Sequence, residues 1–206
     1  MVQILQANKV NLRNLIDRFQ IQQVDDEQFF PEWQTDLPEI SEQEKQALDK
    51  IRRGYFHLLQ SPPLLERTVQ LSVLAPLFFL ADFYLPPFEI QTEQSIEIQE
   101  EDEDVIIRGQ LDIVLLREGF WIVVIESKRS EFSVEAGIAQ LLAYSLASPP
   151  NDRPVYGLVT TGGEFLFTKL LKSPSPKYGT SNQFVLRRKE NELYDVFRIL
   201  KRLAQL

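Results

Sequence analysis

Charged side chains interrupt two apolar runs between residues 106 and 146, and this feature limits the possible folds more than any other. Asp112 lies inside the first run, and the second run leads directly into Glu126 and Lys128. Side chains alternate between the two faces of a strand, so Glu126 and Lys128 point the same way. If Arg117–Gly119 closes a hairpin, Asp112 lies beside that pair. Two acids and a lysine then converge at one end of a sheet.

Carboxylates clustered in apolar strands indicate a bound cation or a catalytic task. Burying a lone carboxylate costs several kcal/mol of free energy, or raises its pKa until the group is neutral. Oxygen ligands favour a hard divalent ion such as Mg²⁺ or Mn²⁺ over zinc. The alternative is purely structural: an ion pair between Glu126 and Lys128 at a strand end, with Asp112 at a β-bulge. The residues alone leave both interpretations open.

The order of Asp112, then Glu126 and Lys128 on the following strand, resembles the motif of the PD-(D/E)xK nuclease superfamily. The resemblance covers roughly residues 64–167. Within the superfamily, the chain is most similar to the N-terminal nuclease-like domain of type I restriction enzyme R subunits, here as a standalone protein. It implies a DNA endonuclease of the restriction or repair type that depends on Mg²⁺ or Mn²⁺. In that family pattern Asp112 and Glu126 hold the metal, with the Ser127 carbonyl as a further ligand. Lys128 positions the attacking water.

Three further residues match auxiliary positions of the resembled family. Gln140 and Tyr144 are four apart, hence on one helical face, and resemble the Gln-x-x-x-Tyr motif of the RecB-like branch. The resemblance implies that Gln140 contacts DNA or orients Lys128, and that Tyr144 packs beneath the phosphate or touches it. Glu66, in the first turns of an earlier helix, would support the metal. Its alternative role is that of an acid stabilised by the helix dipole.

The composition of the 206-residue chain excludes several other kinds of site. The apolar fraction of 44% and the charged fraction of 25% are those of an ordinary globular protein. The absence of cysteine excludes disulfides, cysteine-ligated zinc and thiol catalysis, and the single His57 cannot supply a two-histidine centre. No Gly-x-x-x-x-Gly-Lys-Ser/Thr phosphate loop occurs, which argues against an ATP-driven motor. No apolar run could span a bilayer and no secretory pattern is present, so we expect a cytoplasmic protein without membrane contact.

The net charge of −8 argues at first sight against a nucleic-acid partner. From Leu166 onward, however, the chain carries nine Lys or Arg against three Asp or Glu, so its acidic excess lies elsewhere. We expect DNA as the partner; a restriction-modification or motor subunit and a homodimer remain open. The main alternative function is a nuclease fold that serves as a binding or assembly module and is inactive without a partner subunit. A purely structural protein is the third alternative.

The order of elements predicts an α/β (α+β) fold: a restriction-endonuclease-like αβββαβ core, with a mixed central sheet flanked by helices. We expect residues 1–60 to form an N-terminal helical extension packed on the core, and residues 61–206 to form the nuclease domain. Ser41 and Glu44 make a capping box at the start of the second helix. The third helix, rich in apolar residues, is expected to be largely buried and kinked at Pro76.

Period-two alternation predicts the strands, and a helix after Lys128 can make the crossover that places the next strand parallel to its neighbour. The five acids at 100–104 read as a solvated turn. The expected elements are strands at 88–99, 105–116, 121–126, 155–161, 164–172 and 183–187, a loop at 173–182, and a final helix at 191–206.

Overall fold

The computed structural model describes residues 3–99, 105–129, 133–149 and 152–206, which build one mixed sheet with helices on both faces. The strands are β1 (Gln3–Gln6), β2 (Gln22–Gln23), β3 (Phe88–Gln99), β4 (Val105–Arg117), β5 (Phe120–Ser127), β6 (Val155–Thr160), β7 (Glu164–Leu171), β8 (Lys177–Thr180) and β9 (Phe184–Val185). The helices are α1 (Leu12–Phe19), α2 (Glu42–Leu58), α3 (Glu66–Val69), α4 (Ala75–Leu80), α5 (Glu135–Leu146) and α6 (Leu193–Ala204). The predicted mixed α/β fold is confirmed.

The sheet has the order β3-β4-β5-β6-β7-β8-β2 in its described part. Two short strands complete it: β1 lies beside β5 on the same edge of β4, and β9 lies beside β8 on the same edge of β7. Strands β5 and β6 are parallel, because α5 makes the crossover between them. Strands β3, β4 and β5 form an antiparallel meander, as the alternation predicted.

The hairpin between β4 and β5 closes through Glu118 and Gly119. Both have positive φ angles, 53° and 79°, which suits a two-residue turn whose twist matches that of the strands. The turn pairs Ile113 with Ile125, so Asp112 and Glu126 come to lie at the open end of the hairpin. The predicted approach of these two acids follows from this register.

The N-terminal segment contains the expected helices and two strands that were not expected. Helix α2 begins after Ser41 with the predicted capping box to Glu44. The strands pair over long sequence distances, since β1 lies parallel to β4 and β2 lies parallel to β8. Residues 1–60 therefore contribute to the central sheet as well as to its helical covering. The domain boundary at residue 60 stays a prediction.

The third helical segment differs from the prediction in its burial. A π turn, Gln70–Leu74, joins α3 to α4 without a break in the helical backbone, and Pro76, two residues after it, has no N–H to donate to the preceding turn. Leu71 is 74% exposed and Phe79 is 69% exposed, so one face of the segment is open to solvent. The prediction of a largely buried helix was therefore wrong for this face, and the kink at Pro76 stays a prediction.

Helices cover the sheet on both faces. Helices α1 and α5 pack on one face, and α2, the α3–α4 segment and α6 pack on the other, each over its own apolar cluster. The loop predicted at 173–182 contains β8, which pairs with β7 and with β2. The acids at 100–104 lie outside the described residues. Among the described helices, none is long and apolar enough to cross a membrane.

Candidate functional site

The site forms at a gap along one edge of β4. Strand β1 pairs with β4 at Val105–Arg108 and β5 pairs with it from Ile113 onward, so residues 109–112 lie between the two partners. Helix α5 fills the gap, because the Tyr144 hydroxyl donates to the Gln110 carbonyl at 2.8 Å. A Cβ at Gly109 would lie 2.8 Å from the Tyr144 ring, so only glycine permits this approach.

Asp112 is fixed at the gap by Ser127, the last residue of β5. Its Oδ2 accepts the backbone N–H of Ser127 at 2.8 Å and the Ser127 hydroxyl at 2.7 Å. Hydrogen bonds to an ionised acceptor are stronger than neutral ones, so two of them hold the carboxylate firmly. No hydrogen bond to Oδ1 is found within the described part of the chain, which leaves this oxygen available to a ligand.

A chain of hydrogen bonds begins at Lys128 and leads to the gap in the pairing of β4. The lysine Nζ donates to Glu126 Oε1 and to Gln140 Oε1, both at 2.7 Å. The Gln140 amide then donates to the Tyr144 hydroxyl at 2.6 Å, and that hydroxyl donates to the Gln110 carbonyl. Each acceptor in this chain of hydrogen bonds fixes the next donor, so the ammonium group is held in a single position beside Glu126.

Glu126 is the most perturbed carboxyl group of the site. It is 3% exposed, and burial raises its pKa to about 8, helped by the negative charge of Asp112 and opposed by Lys128. Its Oε2 is buried without a hydrogen-bond partner. A buried carboxylate oxygen in this state requires a proton or a cation.

The structure brings the predicted Asp112, Glu126, Ser127 and Lys128 together. Gln140 contacts Lys128 directly, as one of its two implied roles requires. Tyr144 is 1% exposed and lies behind Gln140, so it supports the site from beneath and does not face a substrate. The catalytic and metal-binding roles of these residues stay predictions.

Glu66 lies at the start of α3, near the predicted group but outside its hydrogen bonds. Its negative charge raises the pKa of Glu126, and it is the weakest of the contributing groups. Its carboxylate has no hydrogen-bond or ion-pair partner among the described residues. Its distance from Glu126 therefore allows an electrostatic role, and its predicted support of a metal stays open.

Gln70 belongs to the site and was missed by the sequence analysis. Its amide donates to the Ser127 hydroxyl at 2.8 Å, and that hydroxyl in turn donates to Asp112. Gln70 opens the π turn between α3 and α4, where the helical register slips by one residue. The one signal in the sequence is an amide side chain within an apolar helix. Such residues are too common for this signal to mark Gln70 as part of a site.

Glu93 of β3 stands opposite Asp112 in the antiparallel register and has a left-handed backbone, with φ of 55°. Its carboxylate pairs with Arg67 of α3, at 2.7 Å. Non-glycine residues in this conformation carry strain of order 1–3 kcal/mol and cluster at functional sites.

The donor set fits a hard divalent cation in part. Glu126 Oε2 is buried without a partner and no described residue donates to Asp112 Oδ1, so these two oxygens, with the Ser127 carbonyl, would be the candidate ligands. Within the residues that the structure describes, no three His, Cys, Asp or Glu side chains are close enough to bind one ion together. Mg²⁺ commonly keeps several water ligands and uses one or two carboxylates, so the pair meets that minimum.

The structural alternative is also partly present. Glu126 and Lys128 form the expected ion pair, with side chains 4% and 15% exposed. The irregularity in the pairing of β4 with β5 lies between Leu115 and Leu116, so Asp112 is not at a bulge of that ladder. A simple ion pair accounts for Glu126 Oε1 and leaves Oε2 and Asp112 unexplained.

The similarities that comparisons with known proteins find are to solved structures. No protein-family model and no curated protein matches the chain. Among solved structures, it is similar to the fragment structure of a putative HsdR subunit of a type I restriction enzyme from Vibrio vulnificus YJ016. The TM-score is 0.40 and the sequence identity 19%, over 70% of this chain and 26% of that one. The match thus spans about a quarter of the length of that fragment chain.

Proposed function

We propose that this chain hydrolyses phosphodiester bonds of DNA with the help of a divalent metal ion. The observation that carries the proposal is the buried, unpartnered Glu126 Oε2 beside the fixed carboxylate of Asp112. The negative charge of Asp112 helps to raise the pKa of Glu126, and a divalent cation would remove that repulsion. As the pH approaches the raised pKa of Glu126, a divalent metal would therefore replace the proton on that carboxyl group.

Asp112 and Glu126 would hold Mg²⁺ or Mn²⁺, with the Ser127 carbonyl as a further ligand. When bound, the ion supplies Lewis-acid polarisation of a phosphate oxygen and lowers the pKa of a bound water. Ser127 keeps Asp112 in place through two hydrogen bonds, and Gln70 orients the Ser127 hydroxyl. This arrangement prepares the carboxylate before substrate arrives.

Lys128 would offset the negative charge that develops on the phosphate and position the attacking water. Its ammonium has one donor bonded to Glu126 and one to Gln140, which leaves the third for water or phosphate. Gln140 holds the lysine, and Tyr144 holds Gln140. A charge fixed before the reaction stabilises a transition state more than a mobile one does.

Cleavage of linear and supercoiled DNA by the purified chain tests the proposal, with Mg²⁺ or Mn²⁺ against EDTA. Lys128→Ala should lower the rate by about two orders of magnitude or more, and its melting temperature should stay near that of the wild type. Lys9→Ala, which changes an exposed lysine on β1's side of the molecule, is the matched control and should cleave normally. A fully active Lys128→Ala protein rules out the assigned role.

A second candidate function, the assembly module inactive without a partner subunit, is favoured by a different observation. An apolar groove of about 740 Å³ lies between α2 and α4, and the exposed Leu71 and Phe79 line it. Exposed apolar patches of this kind are typical of protein-binding surfaces. A metal-dependent rise in melting temperature without cleavage would favour this candidate, and cleavage by the chain alone would exclude it.

A further inference from the structure

A cavity lined by both polar and apolar residues opens at the same edge of the sheet as the candidate site. It measures about 380 Å³ and lies between α2 and the residues that follow β6 and β9. The two places are joined by β6, since the Thr160 carbonyl accepts the Lys128 N–H at 2.8 Å and the next residue, Thr161, lines the cavity. Strand β9 lies three strand positions from β5, a distance of roughly 14 Å.

Arg187, just after β9, presents an unpaired guanidinium at this cavity. Its side chain is exposed and its Cζ lies 5.6 Å from the centre of the Phe56 ring. Within the described part of the chain it has no hydrogen bond or ion pair. Arg52 holds the surrounding backbone, because its guanidinium donates to the carbonyls of Leu186 and Arg188. Arg187 therefore follows a firmly held backbone, and no described residue accepts a hydrogen bond from its guanidinium.

Tyr55 supplies a second free donor from the inner wall of the cavity. The residue is 4% exposed, yet its hydroxyl has no hydrogen-bond partner among the residues that the structure describes. The hydroxyl faces the turn after β6, where a Cβ at Gly163 would lie 2.5 Å from it. Burial raises the pKa of Tyr55, so the group is an O–H donor throughout the neutral range.

We propose that this cavity binds a phosphate group of a nucleic-acid strand a few nucleotides from the bond cleaved at Asp112 and Glu126, an inference that rests on the proposed function. Two unpaired donors, one a guanidinium whose planar fork matches phosphate oxygens, converge on it. Phosphate contacts of this kind position a strand without reading its sequence.

Glu164 lies in the wall of the same cavity and opposes an anion there. Its charge and that of Arg187 both act on the Tyr55 hydroxyl, in opposite directions. The Glu164 carboxylate therefore weakens phosphate binding. A phosphate overcomes this repulsion when Arg187 and Tyr55 both contact it. This opposition gives the proposal a variant that should bind more tightly than the wild type.

Fluorescence anisotropy with labelled duplex and single-stranded oligonucleotides, in EDTA so that no cleavage occurs, tests the proposal. Arg187→Glu should weaken binding about tenfold or more and lower the slope of log affinity against log salt by about one. Tyr55→Phe removes one oxygen atom and should weaken binding about threefold to tenfold. Glu164→Gln should tighten it.

The matched control is Arg13→Glu, the same charge reversal at an exposed arginine of α1. It should leave the affinity within about twofold of the wild type. Equal losses in Arg187→Glu and Arg13→Glu would reduce the effect to net charge and overturn the proposal. Wild-type affinity in Arg187→Glu, or no binding by the wild type, would overturn it as well.

The phosphate can belong to the interior of a strand or to its 5′ end, and the choice of oligonucleotide separates these sources. Arg187-dependent binding that requires a 5′-phosphate assigns the cavity to strand ends, and binding independent of it assigns the cavity to internal phosphates. Lys128→Ala keeps the two proposals distinct. The Lys128→Ala protein should still bind DNA through Arg187 but should not cleave it. If the Arg187→Glu protein cleaves DNA and binds it with unchanged affinity, the nuclease proposal stands and the phosphate-binding proposal is wrong.

Discussion

A single carboxylate oxygen of Asp112, Oδ2, accepts hydrogen bonds from both the backbone N–H and the hydroxyl of Ser127. The contact joins β4 to β5 at the point where their regular pairing has ended. One oxygen of the carboxylate is thus used for structure and the other remains for a ligand. The arrangement makes Ser127 a positioning residue for Asp112.

Replacing Ser127 by alanine tests this relationship. Ser127→Ala removes the hydroxyl bond to Asp112 and leaves the Gln70 amide without its acceptor, while the backbone N–H bond persists. We expect the free energy of unfolding to fall by about 1–2 kcal/mol and the metal concentration for half-maximal cleavage to rise. Urea unfolding and a metal titration measure both. Ser95→Ala, an exposed serine of β3, should change neither.

The pKa of Glu126 predicts how stability depends on pH in the absence of metal. Burial and the charge of Asp112 raise this pKa from 4.5 to about 8. Between those values the folded protein holds a proton that the unfolded chain has released, so its stability is full below about pH 4.5 and is lost as the pH rises through about 8. We expect the melting temperature to fall across this window, and to fall less in Glu126→Gln. Exposed Glu89→Gln should behave as the wild type.

A divalent metal should reverse this loss. The ion replaces the proton on Glu126, so its apparent affinity should rise by up to about tenfold per pH unit between pH 6 and 8. At a hundred times its dissociation constant it stabilises the folded state by about 2.7 kcal/mol. Melting scans with Mg²⁺, Mn²⁺ and EDTA at both pH values measure the effect. A rise of equal size in Asp112→Asn and in the wild type would place the metal elsewhere.

Much of the fold and of the site follows from local patterns. Alternation placed β3, apolar runs placed β4 and β5, and a two-residue turn set the register that brings Asp112 beside Glu126. Two positions of separation placed Lys128 on the face of Glu126. These relationships depend on neighbours along the chain or on adjacent strands, which sequence periodicity can reveal.

The elements that were missed depend on distant parts of the chain. Strand β1 has four residues and pairs with β4 about a hundred positions later, and β8 lies in a segment dominated by Pro, Ser and Gly. Gln70 reaches Ser127 because a π turn shifts its helical register, which no apolar spacing announces. Tertiary contacts, rather than local propensity, determine all three.

A buried ion pair fastens the N-terminal segment to the sheet and gives the last prediction. The Lys169 ammonium of β7 and the Tyr156 hydroxyl of β6 both donate to Oε1 of Glu32, which lies in the short 3₁₀ helix Pro31–Trp33. The Glu32 and Lys169 side chains are 14% and 11% exposed. Removing one partner leaves a charge in an apolar surrounding, so we expect Lys169→Met to lower the free energy of unfolding by about 3–5 kcal/mol.

Two controls separate this effect from loss of an ordinary ion pair. Arg13 and Asp17 form a pair at 2.8 Å whose side chains are 79% and 52% exposed, and Arg13→Met should cost at most about 0.5 kcal/mol. Adding Glu32→Gln to Lys169→Met removes the stranded charge and should recover most of the loss. Limited proteolysis should cut Lys169→Met before residue 41 sooner than the wild type. If the double variant is no more stable than Lys169→Met, packing rather than charge holds this segment to the sheet.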